Sequence, residues 1–301
     1  MVARYGIVVH GGVGSPGEFS DGCEKACSEG LGLLESGRGA LDAVIEAVRI
    51  LEDDGRFNAG SGSVLRLDGR TRQMDAAVMD SWGRVGAVIA IEEVKNPVLA
   101  AREVLDTPHV ALAGRGATLY ARMRGLQELG PVPVRVVERF EKLRKLISSG
   151  RLGEDNPLWS GLDLKSLWNF EEVEPDEVFT FDTVGAVALD EQGVFAVAAS
   201  TGGASPMMCG RVGDTPMIGC GFYAGPAGAV ACTGIGEEIV RRMLARAVYD
   251  RLASGDDVQK ACEPAVGLFP GKTAIGIISV SASGYAVISD REMASWARIV
   301  T

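Results

Sequence analysis

Residues 183–190 and 194–200 are two apolar runs separated only by Glu191-Gln192-Gly193. Runs of this length, rich in Val and Ala and bounded by a turn, read as buried strands. A three-residue link with Gly in the left-handed position makes them a hairpin in which Asp190 pairs with Val194. Counting back from that pair sets Thr183 opposite Thr201, and a slip of one residue sets Ser200 there instead. Either way, two hydroxyls face each other at the open end of a buried hairpin. Gly185 shares a strand face with Thr183, and its missing side chain leaves room for a substrate. Taken alone, a threonine pair is equally ordinary reinforcement of a sheet end.

The rest of the chain places this hairpin in a mixed fold. Residues 5–10 read as a strand, and 20–37 and 40–53 as helices. Leu41, Val44, Ile45, Val48 and Leu51 repeat at helical spacing on one face of the second helix. Residues 63–67, 74–79 and 85–91 are short strand-like runs, with Asp68-Gly69 a hairpin turn between the first two. Asn96-Pro97 starts a helix, with Asn as cap and Pro at the first helical position. Residues 138–149 form an amphipathic basic helix. Residues 228–232 read as a strand, 233–236 as a glycine turn, 237–252 as one long helix, and 274–281 with 284–289 as a closing hairpin. Strands and helices mix without strict βαβ alternation, which predicts an α+β class with antiparallel sheet and helices outside.

Composition narrows the function classes. A length of 301 residues suits one large domain or two ordinary ones. With 47% apolar and 23% charged residues the chain is neither disordered nor collagen-like. A net charge of −10 argues against nucleic-acid partners, which need a basic surface. Apolar runs such as 85–91 fall far short of the ~20 residues of a membrane span. No basic segment followed by an apolar core is read at the start, so the expected location is cytoplasmic. Six cysteines then read as reduced thiols. Cys23 and Cys27 share a helix, but no CxxC partner exists and His10 and His109 are the two histidines, which argues against zinc. Forty glycines cluster in loops and point to tight turns and close backbone approach to a ligand. Arg outnumbers Lys 23 to 7 and amide side chains total eight, which fits a heat-loving source or biased codon usage.

Scarce histidine limits nucleophilic mechanisms, since a Ser-His-Asp or Cys-His enzyme would have to use His10 or His109. Downstream of the hairpin, Arg211 can fork two hydrogen bonds onto a carboxylate and Asp214 can take an ammonium. Three residues apart with Gly213 between, they could hold both ends of a free α-amino acid, or pair with each other as a surface ion pair. Thr233-Gly234-Ile235-Gly236-Glu237 is a strand-to-helix turn whose N–H groups can hold an oxyanion, or an ordinary connection that needs glycine. Residues 150–181 carry eight acidic and two basic residues and no clear period. They read as a solvated loop or as a flexible linker leading to a processing site.

These segments carry a resemblance. The runs 183–190, Ser200-Thr201-Gly202-Gly203, 210–216 and 232–237 resemble the plant-type L-asparaginases, or isoaspartyl aminopeptidases, of the N-terminal-nucleophile hydrolases. His10-Gly11-Gly12-Val13-Gly14, Phe57-Asn58-Ala59-Gly60, 74–80 and 96–102 extend the likeness over nearly the whole chain. The resemblance implies a single domain over 1–301 with a four-layer αββα sandwich. It implies a precursor cut between Asp182 and Thr183 into 1–182, with an acidic tail over about 150–182, and 183–301. Thr183 would be the nucleophile, its own freed α-amine (pKa near ~7.7–8.0) the base, so that no histidine is needed. Thr201 and Thr233 would support it, Thr233 with the Gly234 N–H forming the oxyanion hole. Arg211 would bind the substrate α-carboxylate, Asp214 and Gly236 the α-ammonium, and Asn58 would orient the nucleophile. The loop 51–61 is similar to the family's sodium loop, with carbonyls of Leu51, Glu52, Asp54, Phe57, Ala59 and Ser61 around a monovalent ion and no other cofactor. The implied activity is hydrolysis of the side-chain amide of L-asparagine, of the isopeptide bond of β-aspartyl dipeptides, or both. The implied assembly is a dimer of cleaved pairs.

Two departures bear on this. Asp182 stands where many members have Gly, as in the related glycosylasparaginases, while 57–60 and 232–237 favour the asparaginase branch. Lys272-Thr273-Ala274-Ile275-Gly276 replaces the family's glycine-rich stretch at the outer wall of the pocket. Rival readings are a glycosylasparaginase, a threonine endopeptidase, an inactive binding module on the same fold, or a nucleotide-binding protein. The last rests on Gly271-Lys272-Thr273, but Val266 stands where a phosphate loop needs its first glycine and a strand follows instead of a helix.

Overall fold

The structure, a computed structural model, describes residues 4–148, 158–162, 164–167, 169, 180–269 and 273–301. Strand β1 (Tyr5–Val13) is buried along nearly its whole length and pairs on both sides, with β5 (Thr180–Leu189) and β11 (Met293–Val300). Next to β5 runs β6 (Phe195–Ser205), then β2 (Met74–Asp80), β3 (Val85–Ile91) and β4 (Ala111–Ala113), completing a seven-stranded sheet. A second sheet orders β10 (Gly284–Ser289), β9 (Ile275–Ser281), β8 (Gly228–Gly234) and β7 (Phe222–Gly225). Its pairings are antiparallel, and in the larger sheet only β3–β4 is parallel.

Helices α1 (Ser20–Glu35), α2 (Ala40–Asp54) and α3 (Pro97–Val104) share a core with one face of the larger sheet. The predicted face of α2 is the one buried there: Leu41, Val44, Ile45, Val48 and Leu51. Each such side chain contributes roughly 1.5–3 kcal/mol. Val8, Val187 and Val197 of the larger sheet meet Phe222, Ala231 and Ile278 of the smaller one in a second core. A third core lies between the smaller sheet and the helices Leu244–Ala253 and Val258–Val266. Among the described residues no helix is long and apolar enough to cross a membrane.

Three predicted elements are corrected. Residues 63–67 are not a strand. The Val64 N–H donates to Asn58 Oδ1 (3.0 Å) and the Arg66 N–H to the Thr71 carbonyl (2.9 Å), so the backbone is satisfied by a side chain and a turn rather than a ladder. The apolar pattern there reports burial of Val64, Leu65 and Leu67, not pairing. Residues 237–252 are two helices, Gly236–Arg242 and Leu244–Ala253, broken at Met243 with φ +45°. The N–H groups of Ala245 and Arg246 donate to the carbonyls of Cys220 and Gly219, which capture the start of the second helix. Pro97 does open α3, but Asn96 does not cap it: its Nδ2 donates to Asp53 (3.0 Å), and the Val98 N–H donates to Glu52 instead (2.9 Å).

Most of the expected tail over 150–182 lies outside the described residues, as does Lys272. Within that stretch Trp159 and Leu164 are buried with Leu67 and Leu143, so part of it is packed rather than solvated.

Candidate active site

The hairpin has the predicted register. Asp190 and Val194 close the turn, Gly193 is left-handed (φ +79°), and Thr183 lies opposite Thr201. Beyond that pair the register shifts, because Phe181 faces Ala204. Two residues of β6, Gly202 and Gly203, therefore oppose Asp182 alone. This is a β-bulge, with Gly203 in the left-handed region (φ +85°), set across from the Asp182–Thr183 bond.

Every backbone polar group of the bulge has a partner. The Gly202 N–H donates to the Asn58 carbonyl (2.8 Å) and the Gly203 N–H to Thr201 Oγ1 (2.9 Å). The Gly203 carbonyl accepts from Asn58 Nδ2 (2.6 Å) and the Gly202 carbonyl from Arg66 Nη1 (3.1 Å). Asn58 thus acts on the strand beside Thr183, the expected nucleophile, rather than through a hydrogen bond to it. Thr183 is buried, and its Oγ1 lies 3.4 Å from Thr215 Oγ1. Thr215 was not foreseen. Its position next to Asp214 was the available signal.

Gly185 does not make room for substrate. His10 faces it across the β1–β5 pair, and a Cβ on Gly185 would overlap His10 Nε2. His10 Nδ1 accepts the Gly12 N–H (3.1 Å), so the neutral ring carries its proton on Nε2. Burial pushes its pKa down to about 3, against a smaller upward pull from the Thr183 backbone, so it stays neutral at working pH. His109 is exposed on the far edge of the sheet.

A narrow pocket is lined by Thr183, Thr201, Gly203, Ala204, Arg211, Gly213, Asp214, Thr215 and Gly234. It brings the proposed nucleophile together with the proposed zwitterion clamp. Arg211 is not paired with Asp214. Its Nε and Nη2 fork onto the two oxygens of Glu237, each at 2.8 Å. Burial opposes the Glu237 charge, but the Arg211 guanidinium outweighs it and holds the carboxyl below its usual range. Asp214 is buried with Oδ2 unpartnered, and burial pushes its pKa up to about 7 against the pull of Arg211. A buried carboxylate oxygen without a donor is costly unless a ligand supplies one.

Gly236 closes this corner: a Cβ there would lie 2.8 Å from Asp214 Oδ1 and 3.0 Å from Arg211 Nη2. Thr233 is fully buried at the end of β8, and its Oγ1 accepts the Val13 N–H (3.2 Å). Its own O–H remains able to donate.

The predicted ion loop begins inside α2, whose last turn holds Leu51, Glu52 and Asp54. The Asp54 carboxylate and Glu52 Oε1 are committed elsewhere, while Glu52 Oε2 is buried without a partner. Glu52 Oε1 accepts from Ser200 Oγ (2.6 Å) and the Val98 N–H (2.9 Å), and Asp54 pairs with Arg56 (2.6 Å). Several of the carbonyls press on glycines of the loop. A Cβ on Gly60 would lie 2.7 Å from the Glu52 oxygen, and one on Gly62 would meet the oxygens of Gly55 (2.7 Å) and Phe57. The Ala59 carbonyl already accepts from Gly62 N–H (3.0 Å) and the Ser61 carbonyl from Arg72 Nη1 (3.3 Å). Neutral carbonyl oxygens of this kind suit a hard monovalent cation, and Gly55 joins the predicted set of carbonyls in this loop.

Comparison with known proteins gives a consistent result. A family profile described as Asparaginase matches residues 5–300. The chain is 41% identical over 290 residues to the plant-type L-asparaginase of Thermococcus kodakarensis, covering 92% of this chain and 90% of that one. It is 39% identical over 289 residues to the plant-type L-asparaginase of Pyrococcus horikoshii, with the same coverage. It is 38% identical over 277 residues to the isoaspartyl peptidase of Escherichia coli, covering 86% and 81%.

Proposed function

The chain belongs to the asparaginase family, and on that premise we propose that it is a threonine amidohydrolase acting on L-asparagine and β-aspartyl dipeptides. One observation carries the reading. The Thr183 hydroxyl shares a pocket with a guanidinium and with a buried carboxylate that has an unpartnered oxygen, which suits a small zwitterion. We read the two sheets and their helices as a four-layer αββα sandwich in one domain, assembled as a cytoplasmic dimer of cleaved pairs.

Activation comes first. Thr183 Oγ1 attacks the Asp182 carbonyl carbon across from the bulge, and the peptide C–N bond breaks. The Thr183 nitrogen takes the proton, leaving an ester. Water then opens the ester, releasing the Asp182 carboxylate and a Thr183 with a free amine and hydroxyl. That amine, with an intrinsic pKa near ~7.7–8.0, is the base the chain otherwise lacks.

The substrate cycle repeats the same steps. Arg211 binds the α-carboxylate and Asp214, beside Gly236, the α-ammonium. Thr183 Oγ1 attacks the side-chain carbonyl carbon and passes its proton to the amine. Thr233 O–H and Gly234 N–H stabilise the oxyanion, a contribution of about 3–4 kcal/mol for one such donor. Ammonia or an amino acid leaves with the proton, and water hydrolyses the β-aspartyl ester to L-aspartate. Thr201 and Asn58 hold the bulge against the nucleophile. The carbonyls of Glu52, Gly55 and Phe57 would hold a monovalent cation, which would stiffen the loop that carries Asn58.

Purified, self-cleaved protein should release ammonia from L-asparagine and free amino acid from a β-aspartyl dipeptide. Fully cleaved protein that hydrolyses neither contradicts the reading.

A further inference from the structure

Arg66 donates to the bulge at the Gly202 carbonyl, and no step of the proposed cycle uses its charge. It is 2% exposed, and its side chain runs inward under the bulge. Nη1 donates to the Gly202 carbonyl (3.1 Å) and Nη2 to the Gln73 carbonyl (2.5 Å), while Nε has no partner. A Cβ on Gly203, which lines the pocket, would meet the Met207 thioether first and lie 3.7 Å from Arg66 Nη2. Arg66 forms no ion pair among the described residues. Burial pulls its pKa down to about 10, so it remains charged at neutral pH.

A buried cation without a carboxylate at contact is expensive. Two carbonyl hydrogen bonds would be met as well by a neutral amide, so pinning the bulge does not account for the charge. The buried Asp75 acts on the Arg66 charge as well as on Arg211, so the two cations share it. The Arg211 fork is occupied by Glu237, and the carboxylates of Asp214 and of the buried Asp75 also act on it. Glu237, paired to its fork, and Asp75 therefore offset much of the Arg211 charge that a substrate carboxylate would meet. Arg66, behind the pocket floor, offsets this from a fixed position.

We propose that Arg66 is a specificity-determining residue of this site: a buried positive charge behind Gly203 that favours substrates with a free α-carboxylate. The proposal rests on the amidohydrolase reading above. It acts through the electrostatic field at the floor and not by contact with the reacting atoms, so its signature is in KM rather than kcat.

The test is steady-state kinetics of mature wild type, Arg66→Met, Arg66→Gln and Arg66→Lys on L-asparagine, with the cleaved fraction measured for each. Both neutral variants should raise KM about tenfold, with kcat changing by less than KM does. Arg66→Lys, which keeps the charge but not the fork, should return KM to within about threefold of wild type. Unchanged KM in the neutral variants overturns the proposal. So does a Lys variant as impaired as Met or Gln, which would leave a purely structural arginine. Should neither neutral variant fold, a folded Lys variant with KM raised tenfold still overturns it, and one near wild type supports it. If mature wild type fails on L-asparagine, the functional reading falls and takes this one with it. Active wild type with indifferent variants removes this one alone.

Discussion

The two ends of the β5–β6 hairpin are built from the same strands, yet their buried carboxylates are treated in opposite ways. At the turn end, Asp190 accepts the N–H groups of Gln192 (3.0 Å) and Val194 (2.9 Å) on one oxygen and that of Ala40 (2.9 Å) on the other. It closes the hairpin and ties it to the start of α2. At the open end, Asp214 is equally buried but keeps an oxygen without a donor, and Arg66 Nε keeps a proton without an acceptor. The saturated Asp190 holds the hairpin together, while the open oxygen of Asp214 faces the pocket that contains Thr183.

Substitutions at the two ends should therefore separate catalysis from stability. The largest effect is expected at Arg211. Arg211→Ala removes a charge-assisted contact of about 2–4 kcal/mol, so kcat/KM for L-asparagine should fall roughly 30- to 1000-fold. Self-cleavage should be largely preserved, because the Asp182–Thr183 bond presents no free carboxylate. Equal loss of both activities would make Arg211 structural and erase the contrast.

Asp214→Asn comes next, with kcat/KM lowered roughly 10- to 100-fold from loss of the proposed ammonium contact. Its stability should change in the other direction. The folded pKa near 7 lies above the unfolded value of ~3.9, so the folded apo protein binds the extra proton. That contribution is full below about pH 4 and is lost as pH rises through about 7. Without substrate, wild type should lose thermal stability across this window, and Asp214→Asn should lose less. Melting curves at pH 5 and 8 check this; parallel shifts in both proteins would contradict it.

The smallest kinetic effect belongs to the turn end. Asp190→Ala strips the acceptor from three N–H groups and should cost about 1–3 kcal/mol of stability. The folded variant should keep kcat/KM within about twofold. A kinetic loss as large as that of Asp214→Asn, without destabilisation, would break the comparison.

How much of this was legible in the sequence follows from what sets each feature. The hairpin register was legible because the turn chemistry at 191–193 and the two-residue period fix it locally. The face of α2 was legible for the same reason. The bulge at Gly202-Gly203 was not, because it depends on Asn58 and Arg66 arriving from a distant loop. Thr215 beside Thr183 and Glu237 on Arg211 depend on how residues 206–222 cross between the sheets, a stretch without period. Residues 63–67 carried an apolar pattern that burial alone produced, and the break at Met243 came from capture by Gly219 and Cys220. Gly185 was read as space for a substrate because nothing local shows His10 across the sheet.

The central claim is that Thr183 becomes a chain terminus and the nucleophile. A denaturing mass measurement on purified wild type and Thr183→Ala tests it most directly. The account predicts two wild-type fragments, residues 1–182 and 183–301, and a single uncut, inactive chain for Thr183→Ala. An uncut wild type with full activity, or a Thr183→Ala protein that still splits between Asp182 and residue 183, would contradict it.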